Sequence, residues 1–145
     1  RVEEQVKKTL EQGAKLAVGG KRRGSFYEPT VLTEVTKDMD VMKDMEIFGP
    51  VMPVCVFDTI EEAVAIANQS SFGLSGCVFT RDWKKGMEIA GKIESGTVVV
   101  NGTGTYRNMM QPFGGWKLSG QGKEGFFTLG EVMESKNIVL KGFLE

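Results

Sequence analysis

The feature that most constrains this chain is the alternation between residues 51 and 100. Val51–Phe57 is a nearly continuous apolar run, as a strand buried on both faces requires. Thr59 can cap a helix, and Glu62 three residues later completes a capping box. The helix predicted over Ile60–Asn68 places Ala63, Ile66 and Ala67 on one side. Gly76–Thr80 is a second buried strand, Asp82 caps a helix carrying Trp83, Met87, Ala90 and Ile93 on one face, and Val98–Val100 is a third strand. Strand, helix, strand, helix, strand implies right-handed crossovers and a parallel sheet. The expected fold class is therefore α/β, a three-layer parallel sheet with flanking helices. Pro53 conflicts with a central position for the first strand, since it cannot donate to a ladder. Ligands gather at the carboxyl ends of such strands, here Asp58, Thr80 and Asn101.

Before this region, Val2, Val6 and Leu10 recur at helical spacing and Gly13 stops the helix. A short strand Lys15–Val18 follows, then a polar loop at Lys21–Ser25. Phe26–Val35 is extended and interrupted by Pro29, and Lys37–Met45 is irregular with one helical turn. After Asn101 the rhythm stops. Gly102–Gly125 holds seven glycines, at 102, 104, 114, 115, 120, 122 and 125. With few aliphatics there, it reads as a long loop whose path depends on close backbone approach, and long ordered loops are usually functional. Phe126–Met133 reads as a short helix. Lys136–Lys141 reads as a strand with no hairpin partner beside it, suited to pairing across a subunit interface.

Composition bounds the chemistry. There is no histidine, which removes the commonest general base and every Ser-His or Cys-His dyad. Cys55 and Cys77, the two cysteines, are too few for a disulfide framework or a zinc cluster. Both lie in apolar strand runs, with no cation beside them in sequence to favour a thiolate, and are expected to be buried and structural. A net charge of −1 gives no basic excess for general nucleic-acid binding. No apolar run approaches the ~18 residues of a membrane span, and a cytoplasmic location is expected. The opening Arg1-Val2-Glu3-Glu4 reads as the interior of a longer chain.

Four segments, in order, resemble the aldehyde dehydrogenase superfamily: Glu46-Ile47-Phe48-Gly49-Pro50; Asn68-Gln69-Ser70-Ser71-Phe72-Gly73-Leu74; Gly96-Thr97-Val98-Val99-Val100-Asn101; and Pro112-Phe113-Gly114-Gly115-Trp116-Lys117 with Ser119-Gly120, Gly122 and Glu124-Gly125. Each alone is weak, and together they are specific. Met45 and Lys123 depart mildly from the family, which often has an acidic residue and an arginine there. The resemblance implies that residues 1–133 form the C-terminal portion of that family's catalytic domain, truncated at its N-terminal side, and that 134–145 form its oligomerisation strand.

The resemblance also implies an activity: oxidation of an aldehyde to a carboxylic acid with NAD or NADP, through a cysteine thioester. The family's nucleophilic cysteine, its general base and its oxyanion asparagine would all fall before Arg1, so no catalytic residue is expected in this chain, and the chain alone is expected to be inactive. Its partners would be the missing N-terminal polypeptide, a small-molecule aldehyde and further copies of itself, with no nucleic acid and no membrane.

Particular residues inherit roles from the resemblance. Glu46 would accept hydrogen bonds from the hydroxyls of the nicotinamide ribose, since two carboxylate oxygens suit a vicinal diol; otherwise it is a surface glutamate before a turn. Phe48 would pack against the cofactor, or be an ordinary core phenylalanine. Phe113 would wall the substrate tunnel. Arg107 could hold a carboxylate bidentately and select an acidic semialdehyde, or be a solvated loop cation. Asn101 reads as a side chain that holds its turn. Two other readings stay open: an acylating, coenzyme A-dependent member of the superfamily, and a non-catalytic interaction or dimerisation module.

Overall fold

The computed structural model describes residues 1–142. Helix α1 (Val2–Glu11) buries Val6 and Thr9, and Gly13, at φ +111°, turns the chain into β1 (Lys15–Val18). A small hairpin follows, β2 (Arg22–Arg23) with β3 (Phe26–Tyr27), and then β4 (Thr30–Val35). A 3-10 turn at Asp40–Met42 leads to β5 (Val51–Cys55), α2 (Ile60–Asn68), β6 (Phe72–Gly73), β7 (Ser75–Val78), α3 (Trp83–Lys92), β8 (Thr97–Val100) and β9 (Trp116–Lys117). A second 3-10 segment, Phe126–Val132, occupies the short helix expected there.

The α/β class holds, but the strands pair differently from a single parallel sheet. The first sheet is mixed, in the order β1-β4-β5, with β1 antiparallel and β5 parallel to β4. β7 and β8 form a separate parallel pair, and β6 pairs antiparallel with β9. β4 takes one edge of β5, a long-range pairing that periodicity does not show. β5 thereby becomes an edge strand, where Pro53 removes no ladder bond that a neighbour needs.

The core lies between α1, β4 and the first 3-10 turn, built from Val6, Ala14, Leu32, Val35 and Met39. Strict alternation would point Glu34 inward. The register instead shifts between Leu32 and Val35, and Glu34 takes φ +54°. That irregularity returns Val35 to the core. Glu34 turns outward, and its carboxylate meets Lys15 Nζ at 2.6 Å.

Helices α2 and α3 start as their caps dictate. Thr59 Oγ1 accepts from the Glu62 N–H at 3.1 Å, and Glu62 Oε2 accepts from the Asp58 N–H at 3.0 Å. Asp82 Oδ1 accepts from the N–H groups of Lys84 and Lys85. α3 lies so close to the sheet that a Cβ on Gly86 would come within 2.8 Å of Val100 Cγ1.

One expectation about burial is corrected. The β5 and β7 faces are not covered, so Cys55 is half-buried and Cys77 exposed, rather than buried. Met52, Val56 and Phe79 are exposed for the same reason. Lys136–Lys141 forms no strand among the described residues, and Ile138, Val139 and Leu140 stand in solvent. A strand exists through its ladder, and this segment has none among the described residues. Residues 143–145 of the expected C-terminal strand lie outside the described residues.

Candidate functional site

The four residues singled out in the sequence fall into two places. Glu46 and Phe48 sit on the turn that enters β5. Its backbone is fixed by the Gly49 N–H donating to Ile47 O and the Val51 N–H donating to Gly49 O, each at 2.8 Å. Gln5 of α1 donates its side-chain amide to Glu46 O at 3.1 Å. A Cβ on Gly49 would lie 2.7 Å from Val2 Cγ2, so the turn packs on α1 at glycine distance. Both key side chains point outward. Phe48 is 75% exposed, with the Arg1 guanidinium 6.0 Å from its ring centroid. The Glu46 carboxylate is exposed and has no hydrogen-bond or ion-pair partner among the described residues.

Arg107 and Phe113 are brought together. The Arg107 guanidinium carbon stands 3.0 Å above the Phe113 ring centroid, an attraction between a cation and the negative face of the ring. They line an open, mainly apolar cleft of about 440 Å3 with Met109, Glu124, Phe126 and Leu129. Glu46 and Phe48 do not line it.

The glycine-rich loop that forms this cleft is tied down by polar contacts. Phe113 and Glu124 exchange main-chain hydrogen bonds, at 2.8 and 2.5 Å. The Phe126 N–H donates to Met109 O. The Lys123 ammonium donates to Gly114 O at 2.6 Å. Gly73 N–H donates to Ser119 Oγ, and Leu118 N–H to Ser71 O. Gly114 O lies directly against Gly96, where a Cβ would collide with it.

Asn101 opens the loop at φ +58°. Its side-chain amide donates to Thr80 O and accepts from Thr80 N–H, both at 2.9 Å. The side chain thus adds one rung to the β7–β8 ladder, and holds the turn through a neighbouring strand rather than through its own backbone.

Residues that the sequence left without a role carry much of this geometry. Lys117 Nζ donates to Asn68 O, Ser70 O and Glu94 Oε2, and Asn68 bonds the backbone of Lys92 and Glu94. The signal was faint: a lysine among glycines, in a stretch with few aliphatics.

Neither cysteine lines the cleft at Arg107. No group of three or more metal-ligating side chains occurs among the described residues, and no helix there is long and apolar enough to cross a membrane.

The profile of the Aldehyde dehydrogenase family matches residues 1–138. A 3-sulfolactaldehyde dehydrogenase of Priestia aryabhattai is 45% identical over 141 residues, covering 97% of this chain and 29% of that protein. The crystal structure of aldehyde dehydrogenase 21 from Physcomitrella patens, in complex with the reaction product succinate, superposes with a TM-score of 0.87 at 35% identity, covering 99% of this chain and 30% of that one. An aldehyde dehydrogenase of Mycobacterium tuberculosis complexed with NAD+ gives a TM-score of 0.80 at 42% identity, over 86% of this chain and 26% of its own. The chain spans under a third of the length of these relatives.

Proposed function

The chain belongs to the aldehyde dehydrogenase family, and from that premise we propose that it forms part of an enzyme oxidising an acidic aldehyde to the carboxylic acid. NAD or NADP would accept the hydride, and water would supply the second oxygen through hydrolysis of a cysteine thioester. The nucleophilic thiol and the general base would come from polypeptide N-terminal to this chain. Two features support that division: the chain has no histidine, and both of its cysteines lie away from the cleft.

Within this reading Glu46 holds the nicotinamide ribose. Its carboxylate is exposed and unpaired among the described residues, so both oxygens are available to a diol. Phe48 offers an exposed ring for the cofactor to pack on. Phe113 walls the aldehyde cleft, and Arg107 binds the acid group of the substrate. The observation that carries the acidic reading is the Arg107 guanidinium, stacked on Phe113 at the cleft. Stacking orients a guanidinium while leaving its N–H edge free for a carboxylate or sulfonate. The relatives named for 3-sulfolactaldehyde and crystallised with succinate both handle anionic compounds. Exposed Ile138, Val139 and Leu140 suit a strand that pairs with a second copy, in a homo-oligomer placed in the cytoplasm.

The test is NADH formation by the intact enzyme. Succinate semialdehyde should be preferred over butyraldehyde, and R107L should lower kcat/KM for the acidic aldehyde about tenfold or more while sparing the neutral one. Equal losses for both would refute the acidic assignment. The 145-residue chain alone should form no NADH above a blank. A requirement for coenzyme A would move the enzyme to the acylating class.

A further inference from the structure

The loop that carries Phe113 has little apolar anchorage. Met109 is 75% exposed, Trp116 50% and Leu118 74%. What fixes its path is polar, and the densest polar contact is at Lys117. The side chain is 24% exposed, and its ammonium reaches three acceptors: Asn68 O at 2.7 Å, Ser70 O at 3.0 Å and Glu94 Oε2 at 2.9 Å. An ammonium has three donors, so all are used. Two acceptors are carbonyls at the C-terminal end of α2, where a cation is favoured. The third is a carboxylate just beyond α3, and the Asn68 side chain ties that same stretch to α2 through Lys92 O and the Glu94 N–H.

Lys117 itself is held at φ +52°, paired with Phe72 across β9 and β6. Three residues earlier, Gly114 O receives the Lys123 ammonium and abuts Gly96. The segment from Phe113 to Lys117 is therefore pinned at both ends by ammonium groups that bond main-chain oxygens.

We propose that Lys117 is a positioning residue: its three-way clamp on the end of α2 and on Glu94 fixes the Phe113 wall of the cleft, and so sets which aldehydes the enzyme accepts. The proposal rests on the aldehyde-oxidising function for its consequence, but not for its geometry.

The intact enzyme provides one test. K117M keeps the length of the side chain and removes its donors. The kcat/KM for succinate semialdehyde, long enough to meet the wall, should fall about tenfold more than that for acetaldehyde, with KM for NAD unchanged. K117R should recover only part of this, because a planar fork cannot reproduce a tripod of donors. Loss of activity that is equal for both aldehydes would overturn the proposal.

The second test needs no turnover. The 145-residue chain has two tryptophans, Trp83 and Trp116, so W83F leaves Trp116 as the sole reporter beside the clamp. K117M in that background should raise acrylamide quenching of Trp116 about twofold, with far-UV circular dichroism unchanged, as a locally released segment would. Unchanged quenching in a folded variant would overturn the proposal, and should K117M fail to fold, K117R is read in the same way. If the parent enzyme oxidises no aldehyde, the functional reading falls, while the quenching experiment still decides whether Lys117 holds the wall.

Discussion

Replacing Asn101 separates two effects that coincide at the mouth of the loop. Its side chain makes two hydrogen bonds to the Thr80 backbone at 2.9 Å, and its backbone sits at φ +58°. The bonds are solvent-accessible, so each contributes toward the low end of the usual range, about 0.5–1 kcal/mol. Alanine in the left-handed region costs about 1 kcal/mol beyond asparagine, whose short polar side chain tolerates it. N101A should therefore lose about 2–3 kcal/mol. N101G relieves the backbone strain but still loses both bonds and adds chain entropy to the unfolded state, so its loss should be about 1–2 kcal/mol. N101D keeps the acceptor for Thr80 N–H but turns a carboxylate oxygen toward Thr80 O, and should be no better than N101A. Urea unfolding followed by circular dichroism resolves these differences, and each kcal/mol corresponds to about 3 °C in Tm for a chain of this size. If N101G proves as stable as the parent, the added rung contributes nothing. If N101A and N101G are equal, the strain argument is wrong.

Three further perturbations follow from the fold. G96A places a Cβ against Gly114 O, and either β8 or the loop must move; loss of about 2 kcal/mol or more is expected, with greater protease cutting between residues 102 and 125. T59A removes the acceptor for the Glu62 N–H and should cost about 1 kcal/mol in thermal denaturation. Asp44 accepts from the Ser71 N–H and the Ser70 hydroxyl, which hold its carboxyl below the ordinary value of 3.8. A depressed folded value means that the stabilisation is present above the unfolded value and is lost as pH falls through the folded one. D44N should therefore be less stable than the parent at pH 6, and the gap should close on acidification below pH 4; a gap constant across that range would remove Asp44 from the acid response.

Much of the helical framework was legible because its signals are local. The Thr59 and Glu62 capping box, the Asp82 cap and the stop at Gly13 each act within one helical turn, so residue identity and spacing suffice to place α1, α2 and α3. The glycines after Asn101 marked a loop, and the segment from Pro112 to Gly125 marked which loop. Its internal arrangement was not legible. Arg107 stacking on Phe113, and Lys117 reaching Asn68 and Glu94, join residues far apart in the chain, or bring together loop residues whose path no periodicity encodes.

The sheet shows the same division most sharply. Apolar runs and caps determined that strands and helices alternate between residues 51 and 100, because burial and hydrogen bonding within a segment depend on its own residues. Which edges meet was decided only in three dimensions. β5 reaches back to β4, β7 pairs with β8, and the bulge at Glu34 turns Val35 inward. A strand's sequence specifies the faces it must bury, while its ladder partner is chosen by the packing of everything else in the fold. For Cys55 and Cys77 the sequence supplied the apolar face, and the tertiary structure of this chain left it uncovered.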